Sequence, residues 1–245
     1  MVKPLSTAQI DHFADVGFLR VKHVVPKHLV DTAKERLVAD LESPTGPHYK
    51  NGDGAAYKLY GLLERGGPYE SIITYPPLLD VMEALVGGDI VYTRNRHNHG
   101  SLMPAGESVF RPHRDILRSG YVSVIVYLDN VTADNGPTLV IPSSHRWPFA
   151  ADREDGIFLD LMTHPGYADL CDQMVPVLAA PGDIVAFDGL LFHAAARNAA
   201  AAGTRASLAL GYRAVDELTG VSEHAEYLVR GRDLYRGNIV VPRAW

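Results

Sequence analysis

His113-Arg114-Asp115, with His193 following 80 residues later, supplies two imidazoles and one carboxylate at a spacing suited to a mononuclear metal site. On an extended strand, side chains i and i+2 share a face, so His113 and Asp115 can reach one ion while Arg114 points away. A third ligand must come from elsewhere, and His193 is the candidate. Two histidines and one carboxylate leave open coordination positions, the donor set of non-haem iron(II) oxygenases.

A three-residue pattern recurs by chance in many chains, so its surroundings matter. Met103-Pro104-Ala105-Gly106 reads as a loop before the motif, and Val122 to Asp129, VSVIVYLD, as a strand after it. His193 follows Pro181-Gly182-Asp183-Ile184-Val185-Ala186-Phe187, a turn and strand that can aim it inward.

The elements that must carry these residues change character along the chain. Ser6-Thr7-Ala8-Gln9 matches a capping box, and Ile10, Phe13 and Ala14 continue it as a short helix ending near Gly17. Phe18-Leu19-Arg20-Val21 reads as a strand. Leu29, Val30, Ala33, Leu37 and Leu41 fall at helical spacing between charged residues, which predicts an amphipathic helix over 28–41 packed on something larger. Residues 43–68 are crowded with Gly and Pro and include Tyr49, Tyr57 and Tyr60; they read as a long substrate-side excursion with little regular structure. Pro77 to Val86 reads as another helix.

From Asp89 onward strands dominate: 90–92, 121–128, 138–141, 184–187 and 206–212, separated by Asp134-Asn135-Gly136-Pro137, Pro181-Gly182-Asp183 and Ala202-Gly203-Thr204. Residues 152–175 interrupt them with a helix-like segment at Phe158–Met162 and a loop. The expected fold class is mainly β with flanking helices: an antiparallel β-sandwich or barrel with the N-terminal helices laid over one face.

At 245 residues with 47% hydrophobic content and no low-complexity tract, the chain can bury one substantial core, and a single domain over 1–245 is expected. A net charge of −6 gives no reason to expect nucleic acid as a partner. Cys171 is the only cysteine, so no intrachain disulfide forms and a reducing compartment is expected. The opening residues show neither the apolar core of a signal peptide nor an Arg/Ser-rich transit pattern, and no run suggests a membrane span; the expected location is cytoplasmic. Oligomeric state is left open.

Further landmarks occur in order: Leu5-Ser6-x-x-Gln9 leading to Gly17-Phe18-Leu19, His113-x-Asp115, Leu128-Asp129, Asn135-Gly136-Pro137-Thr138, Ile141-Pro142-Ser143-Ser144-His145, Pro181-Gly182-Asp183, and His193 followed by Asn198 and Arg205. From the first helix to about Tyr212, the chain resembles the phytanoyl-CoA dioxygenase superfamily, iron(II)- and 2-oxoglutarate-dependent oxygenases built on a double-stranded β-helix. The resemblance narrows the expected fold to a jelly-roll or cupin-like barrel with the N-terminal helices packed on one sheet. The resemblance implies Fe(II), 2-oxoglutarate and O2 as cofactor and cosubstrates, with His113, Asp115 and His193 as the iron ligands. It puts Arg205, 12 residues after the distal histidine, in the place of the arginine that pairs with the distal carboxylate of 2-oxoglutarate. Guanidinium suits that task because it stays charged and engages a carboxylate through two parallel hydrogen bonds.

Thr138 stands where relatives place a hydroxyl near the same carboxylate, and Tyr127 and Ser207 are further candidates. On the strand upstream of the first ligand, where the family often has a polar group, Arg96 and Asn98 share one face and are expected to meet the cosubstrate or substrate. Ala195 occupies a position where some relatives have serine.

Other residues admit competing readings. His97-x-His99 suggests a cupin-type metal half-site, but the next glutamate, Glu107, lies eight residues past His99 beyond a Pro/Gly turn, so either histidine lines the substrate pocket or serves structure. His145 is expected to support its loop, and Trp147 to pack or to wall the site. Arg230, Arg232, Arg236 and Arg243 make the C-terminus locally basic, offset by Asp216, Glu217, Glu223, Glu226 and Asp233.

The resemblance implies oxidation of a small molecule by hydroxylation or oxidative ring closure, in the branch that tailors natural products such as antibiotics, and Tyr-rich residues 43–68 would suit a glycoside of the orthosomycin type. Asp115 weighs against halogenation, because related halogenases replace that carboxylate with glycine or alanine. A metal-dependent isomerase or hydrolase on the same barrel, or a non-catalytic cupin-like binding protein, are the rival readings; an intact triad and Arg205 argue against both.

Overall fold

Ser6 closes the capping box expected of it. Its hydroxyl accepts from the Gln9 amide at 3.3 Å while the Gln9 side chain accepts from the Ser6 amide at 3.0 Å, starting α1 (Thr7–Val16). The computed structural model describes residues 4–50, 52, 54, 56–94, 97–106, 110–115, 120–147, 168–200, 203–216 and 226–233. Helix α2 (Lys27–Glu42) buries Val30, Ala33, Leu37 and Leu41, the stripe its periodicity predicts. Three shorter helices follow: α3 (Leu62–Arg65), α4 (Pro68–Ile73) and α5 (Pro76–Val86).

Among the described residues the strands are β1 (Phe18–Val21), β2 (His48–Lys50), β3 (Ala56–Tyr60), β4 (Ile90–Thr93), β5 (Asn98–Pro104), β6 (Phe110–His113), β7 (Tyr121–Tyr127), β8 (Thr138–Val140), β9 (Val175–Val177), β10 (Ile184–Asp188), β11 (His193–Ala195), β12 (Thr204–Ala214) and β13 (Glu226–Arg230), with a short helix α6 (Ala168–Cys171) before β9. They form two antiparallel sheets. The larger runs β1-β10-β7-β12-β5-β3-β2, with β4 pairing the far end of β12 and β13 pairing β4; the smaller runs β6-β11-β8-β9. Among the described residues the two sheets remain separate and do not close into one hydrogen-bonded barrel.

Strand alternation divides the larger sheet into two chemically distinct faces. Val122, Val124, Val126, Ile184, Ala186, Leu208 and Leu210 join Val30, Leu37, Leu78 and Met82 of the helices in one core. Tyr127, Val185 and Phe187 point the other way, meeting Val140 and Val177 of the smaller sheet in a second cluster. The helices therefore cover one face, and the other is left to pair with the small sheet around whatever lies between them.

Residues 43–68 depart from their expected irregularity: β2 and β3 form a hairpin that extends the larger sheet, with Lys58 opposite Ser101 and Tyr60 opposite His99. Gly and Pro set the turns, while β5 supplies the edge that strands this short need. The helix-like Phe158–Met162 lies outside the described residues, as do Arg236 and Arg243. Arg230 is ion-paired to Asp80 at 2.8 Å and Glu83 at 2.7 Å. No helix among the described residues is long and apolar enough to cross a membrane.

Candidate metal centre

The small sheet brings the distant histidines together by register. His193 on β11 is the direct cross-strand partner of His113 on β6, and the two ring centroids lie 4.3 Å apart. Asp115 follows β6 and is fixed by its backbone amide, which donates to Gly189 O at 2.8 Å in the turn between β10 and β11. Its Oδ1 stands 3.6 Å from His193 Nε2 and 3.9 Å from His113 Nε2. One ligand atom from each of the three residues falls within 4.8 Å of the others.

Hydrogen bonding then sets the chemistry of each donor. His193 Nδ1 meets the Leu191 carbonyl at 3.0 Å, an acceptor, so Nδ1 carries a proton and Nε2 is the nitrogen turned toward Asp115. The 3.6 Å between that nitrogen and the carboxylate oxygen suits two ligand atoms of one cation. Burial alone would raise the Asp115 pKa, but His97 and His193 nearby and hydrogen bonds from His97 and Ser123 hold it well below the usual carboxylate range. The side chain is thus an ionised carboxylate, as a metal ligand must be. Phe187 packs against the His193 ring, centroids 4.5 Å apart, and limits its rotation.

A second polar group lies on the larger sheet. Arg205 is buried over the Tyr127 ring, with Cζ 5.6 Å from the centroid. Its Nε is buried without a hydrogen-bond partner among the described residues. Tyr127 and Thr138 join across the two sheets by a 2.6 Å bond between their hydroxyls, and Ser207 meets Ser101 at 3.2 Å. Arg205, Thr138 and Ser207 thus line one cavity, with Tyr127 packed behind Arg205 and Thr138. Lys58, not among the residues expected from the sequence, joins the same wall: Lys58, Ser101, Ser207 and Tyr127 are successive register partners across β3, β5, β12 and β7. Burial pulls the Lys58 pKa down to about 8, partly offset by Asp115.

Asn98 lines the cavity, and both ends of its amide are engaged within the protein. Its Oδ1 accepts from Tyr92 OH at 2.8 Å and the Leu63 amide at 3.1 Å, and its Nδ2 donates to Glu64 at 2.9 Å and the Arg94 carbonyl at 3.2 Å. Asn98 lies opposite Leu210 on the helix-covered face, whereas His99, Ser101 and Met103 alternate inward with Arg205 and Ser207. Although it borders the cavity, its polar atoms brace β5 against α3. Arg96 lies outside the described residues.

His97 and His99 both line the cavity, and burial drives the His99 pKa well below its ordinary value, followed in effect by Lys58. His97 contacts Asp115, with Nε2 3.0 Å from Oδ1, and Glu107 of the cupin-type reading lies outside the described residues. His145 bonds the Ala14 carbonyl at 3.0 Å and so ties its corner to α1. Trp147 packs against Phe192, ring centroids 5.9 Å apart. Ala195 leaves a methyl group opposite Thr138.

Between the sheets lies a cavity of about 500 Å³ that reaches from the triad and Arg205 past Lys58 to Tyr57, Tyr60 and Tyr49. The sequence pattern of phytanoyl-CoA dioxygenase (PhyH) matches residues 13–207. The chain belongs to this family. Among curated relatives, the dioxygenase af480 of Aspergillus fumigatus is 29% identical over 217 residues, covering 83% of this chain, while the chain spans 65% of the relative's length.

Among solved structures, the epimerase SnoN, in complex with Fe3+, alpha ketoglutarate and nogalamycin RO, superposes with a TM-score of 0.73 at 18% identity, covering 91% of this chain and 98% of SnoN. HygX from Streptomyces hygroscopicus, with nickel and 2-oxoglutarate bound, gives 0.64 at 18% identity over 86% of this chain and 88% of HygX. These likenesses establish the jelly-roll fold of the oxygenases.

PhyH dioxygenases use iron(II), 2-oxoglutarate and O2, and the residues present fit those groups. The donor set is two imidazoles and an ionised carboxylate. The buried guanidinium with an unpartnered Nε suits the carboxylate of an organic acid.

Proposed function

We propose that this protein is an iron(II)- and 2-oxoglutarate-dependent dioxygenase that oxidises a small molecule in natural-product biosynthesis, by hydroxylation or oxidative ring closure, in the cytoplasm. The observation that carries the reading is the cluster of His113, Asp115 and His193 within 4.8 Å, facing a cavity that also contains the buried Arg205. Bound together, iron and 2-oxoglutarate supply oxidation of an unactivated C–H bond by O2, coupled to conversion of the cosubstrate to succinate and carbon dioxide.

The chain's own residues bind, orient and exclude water. His113, Asp115 and His193 hold the metal from the small-sheet side. Arg205 binds the distal carboxylate of 2-oxoglutarate, with Thr138, Tyr127 and Ser207 as hydroxyl neighbours. Lys58 provides a second positive charge for this dianion. Ile125, Phe187 and Met103 line the cavity with apolar surface that keeps water out.

The substrate enters from the hairpin side, where Tyr49 and Tyr60 lie 5.8 Å apart and Tyr60 and His99 5.4 Å. Flat rings beside Tyr, His and Arg hydrogen-bonding groups suit a hydroxylated ring system such as a glycoside. The structural likeness to SnoK, an alpha ketoglutarate dependent carbocyclase from nogalamycin biosynthesis, supports a natural-product substrate. The intact Asp115 favours oxygen or ring chemistry over halogenation.

The test is succinate release from 2-oxoglutarate in air by the iron-loaded protein, with candidate glycosides and polyketides added in turn. Slow release, increased by one class of substrate, is expected. No release above an iron-only control would refute the assignment.

A further inference from the structure

We propose that His97 is the positioning residue for the carboxylate of the metal triad, itself held by Tyr121. This rests on the reading that the triad binds metal. His97 Nε2 lies 3.0 Å from Asp115 Oδ1, and Ser123 Oγ donates to Oδ2 at 2.5 Å. Ser123 thus grips one carboxylate oxygen by a hydrogen bond while the His97 imidazole stands in ion-pair contact with the other, and the two contacts together set how the group is turned.

The other side of the imidazole is equally determined. Ser123 Oγ is 3.3 Å from Nδ1, but its single hydrogen is committed to Asp115. Tyr121 OH, 3.1 Å from Nδ1, therefore completes the ring, donating to it when the imidazole is neutral. Thr93 Oγ1 lies 3.3 Å from that phenol oxygen and 3.3 Å from Gly211 O. A Cβ at Gly211 would overlap both the Tyr121 hydroxyl and Thr93 Oγ1, so this glycine makes room for the phenol that holds His97.

The backbone points the same way. His97 has a φ of +49°, a left-handed conformation unusual for a residue with a side chain, and such conformations persist where their surroundings over-determine them. Here the turn sends the imidazole back to Asp115. His97 lies outside the three-residue ligand cluster, so it acts on the metal through Asp115. The oxygen it contacts, Oδ1, is the one that stands 3.6 Å from His193 Nε2 and 3.9 Å from His113 Nε2.

Partners that orient a ligand typically change metal affinity by about 10–100-fold when removed. The test is Co(II) binding to the metal-free protein, followed by calorimetry and the visible d–d bands, so that no turnover is needed. His97→Leu is expected to weaken Co(II) binding by about 10–100-fold, and His97→Gln, whose amide can donate at a similar reach, to recover most of it. Tyr121→Phe and Gly211→Ala are expected to give smaller losses in the same direction. Equal affinities for parent and His97→Leu overturn the proposal while leaving the triad intact. Failure of the parent to bind Co(II) overturns the triad reading, and this proposal with it. Pulsed EPR of the Cu(II)-loaded parent serves even where His97→Leu does not fold. Two coupled imidazoles support the proposal, and three place His97 on the metal itself and overturn it.

Discussion

His113 and His193 face each other across the β6–β11 pair, although 80 residues separate them in the chain. The cross-strand position fixes their spacing, and the Leu191 carbonyl fixes which nitrogen of His193 is free to bind metal. Because side chains alternate along a strand, a slip of one residue in this pair would turn His193 away from Asp115.

Removing either histidine is therefore expected to act on the metal directly. His113→Ala and His193→Ala should each weaken Co(II) or Fe(II) binding by more than the roughly 100-fold upper range for an orienting partner, and abolish succinate formation. Calorimetry on the metal-free proteins checks this. Near-parental affinity in either variant would remove that residue from the site.

Arg205 is expected to affect the cosubstrate and not the metal. A hydrogen bond to a charged group contributes about 1.5–3 kcal/mol, so Arg205→Ala should raise the KM for 2-oxoglutarate by about 10–100-fold while Co(II) affinity stays within about three-fold of the parent. Loss of metal binding in a folded Arg205→Ala protein would contradict the assignment.

Lys58 gives a pH dependence. Its pKa is lowered to about 8 from 10.5, so the ammonium is charged below pH 8 and lost as pH rises through it. For 2-oxoglutarate, kcat/KM is expected to fall above about pH 8, and Lys58→Met to start lower and remove that limb. The stability contribution has the opposite sense: the unfolded chain binds the proton more tightly, so stability from this group rises between pH 8 and 10.5. An identical alkaline limb in Lys58→Met would assign it to another group.

Asn98 separates structure from chemistry. Truncation leaves the Leu63 amide without its acceptor and Tyr92 OH with only the longer contact to the His97 carbonyl at 3.3 Å, and a buried group left unpaired costs about 1–3 kcal/mol. Asn98→Ala should lose about 1–3 kcal/mol of stability in urea unfolding, while the KM for 2-oxoglutarate stays near parental. A large change in KM with unchanged stability would restore Asn98 to the cosubstrate site.

What could be read in advance follows from the range of each physical signal. His113 and Asp115 obey a local i, i+2 rule, and His193, Thr138 and Arg205 come attached to turn and strand landmarks, so their convergence was legible. The helical stripe of α2 was local too. The orientation of Asn98 depended on which face of β5 turns inward, a question of register with β12 that no local pattern answers. Lys58 was hidden because Gly- and Pro-rich flanks made 43–68 look irregular, although Tyr57-Lys58-Leu59-Tyr60 forms strand once β5 offers an edge. His97 depended on a left-handed backbone turn that periodicity cannot show.

The most direct test of the account is an anaerobic titration of the metal-free protein with Fe(II) and then 2-oxoglutarate, followed in the visible range. The account predicts a charge-transfer band that appears only when both are present, is absent in His193→Ala, and needs more 2-oxoglutarate in Arg205→Ala. No band in the parent protein at saturating Fe(II) and 2-oxoglutarate would contradict it.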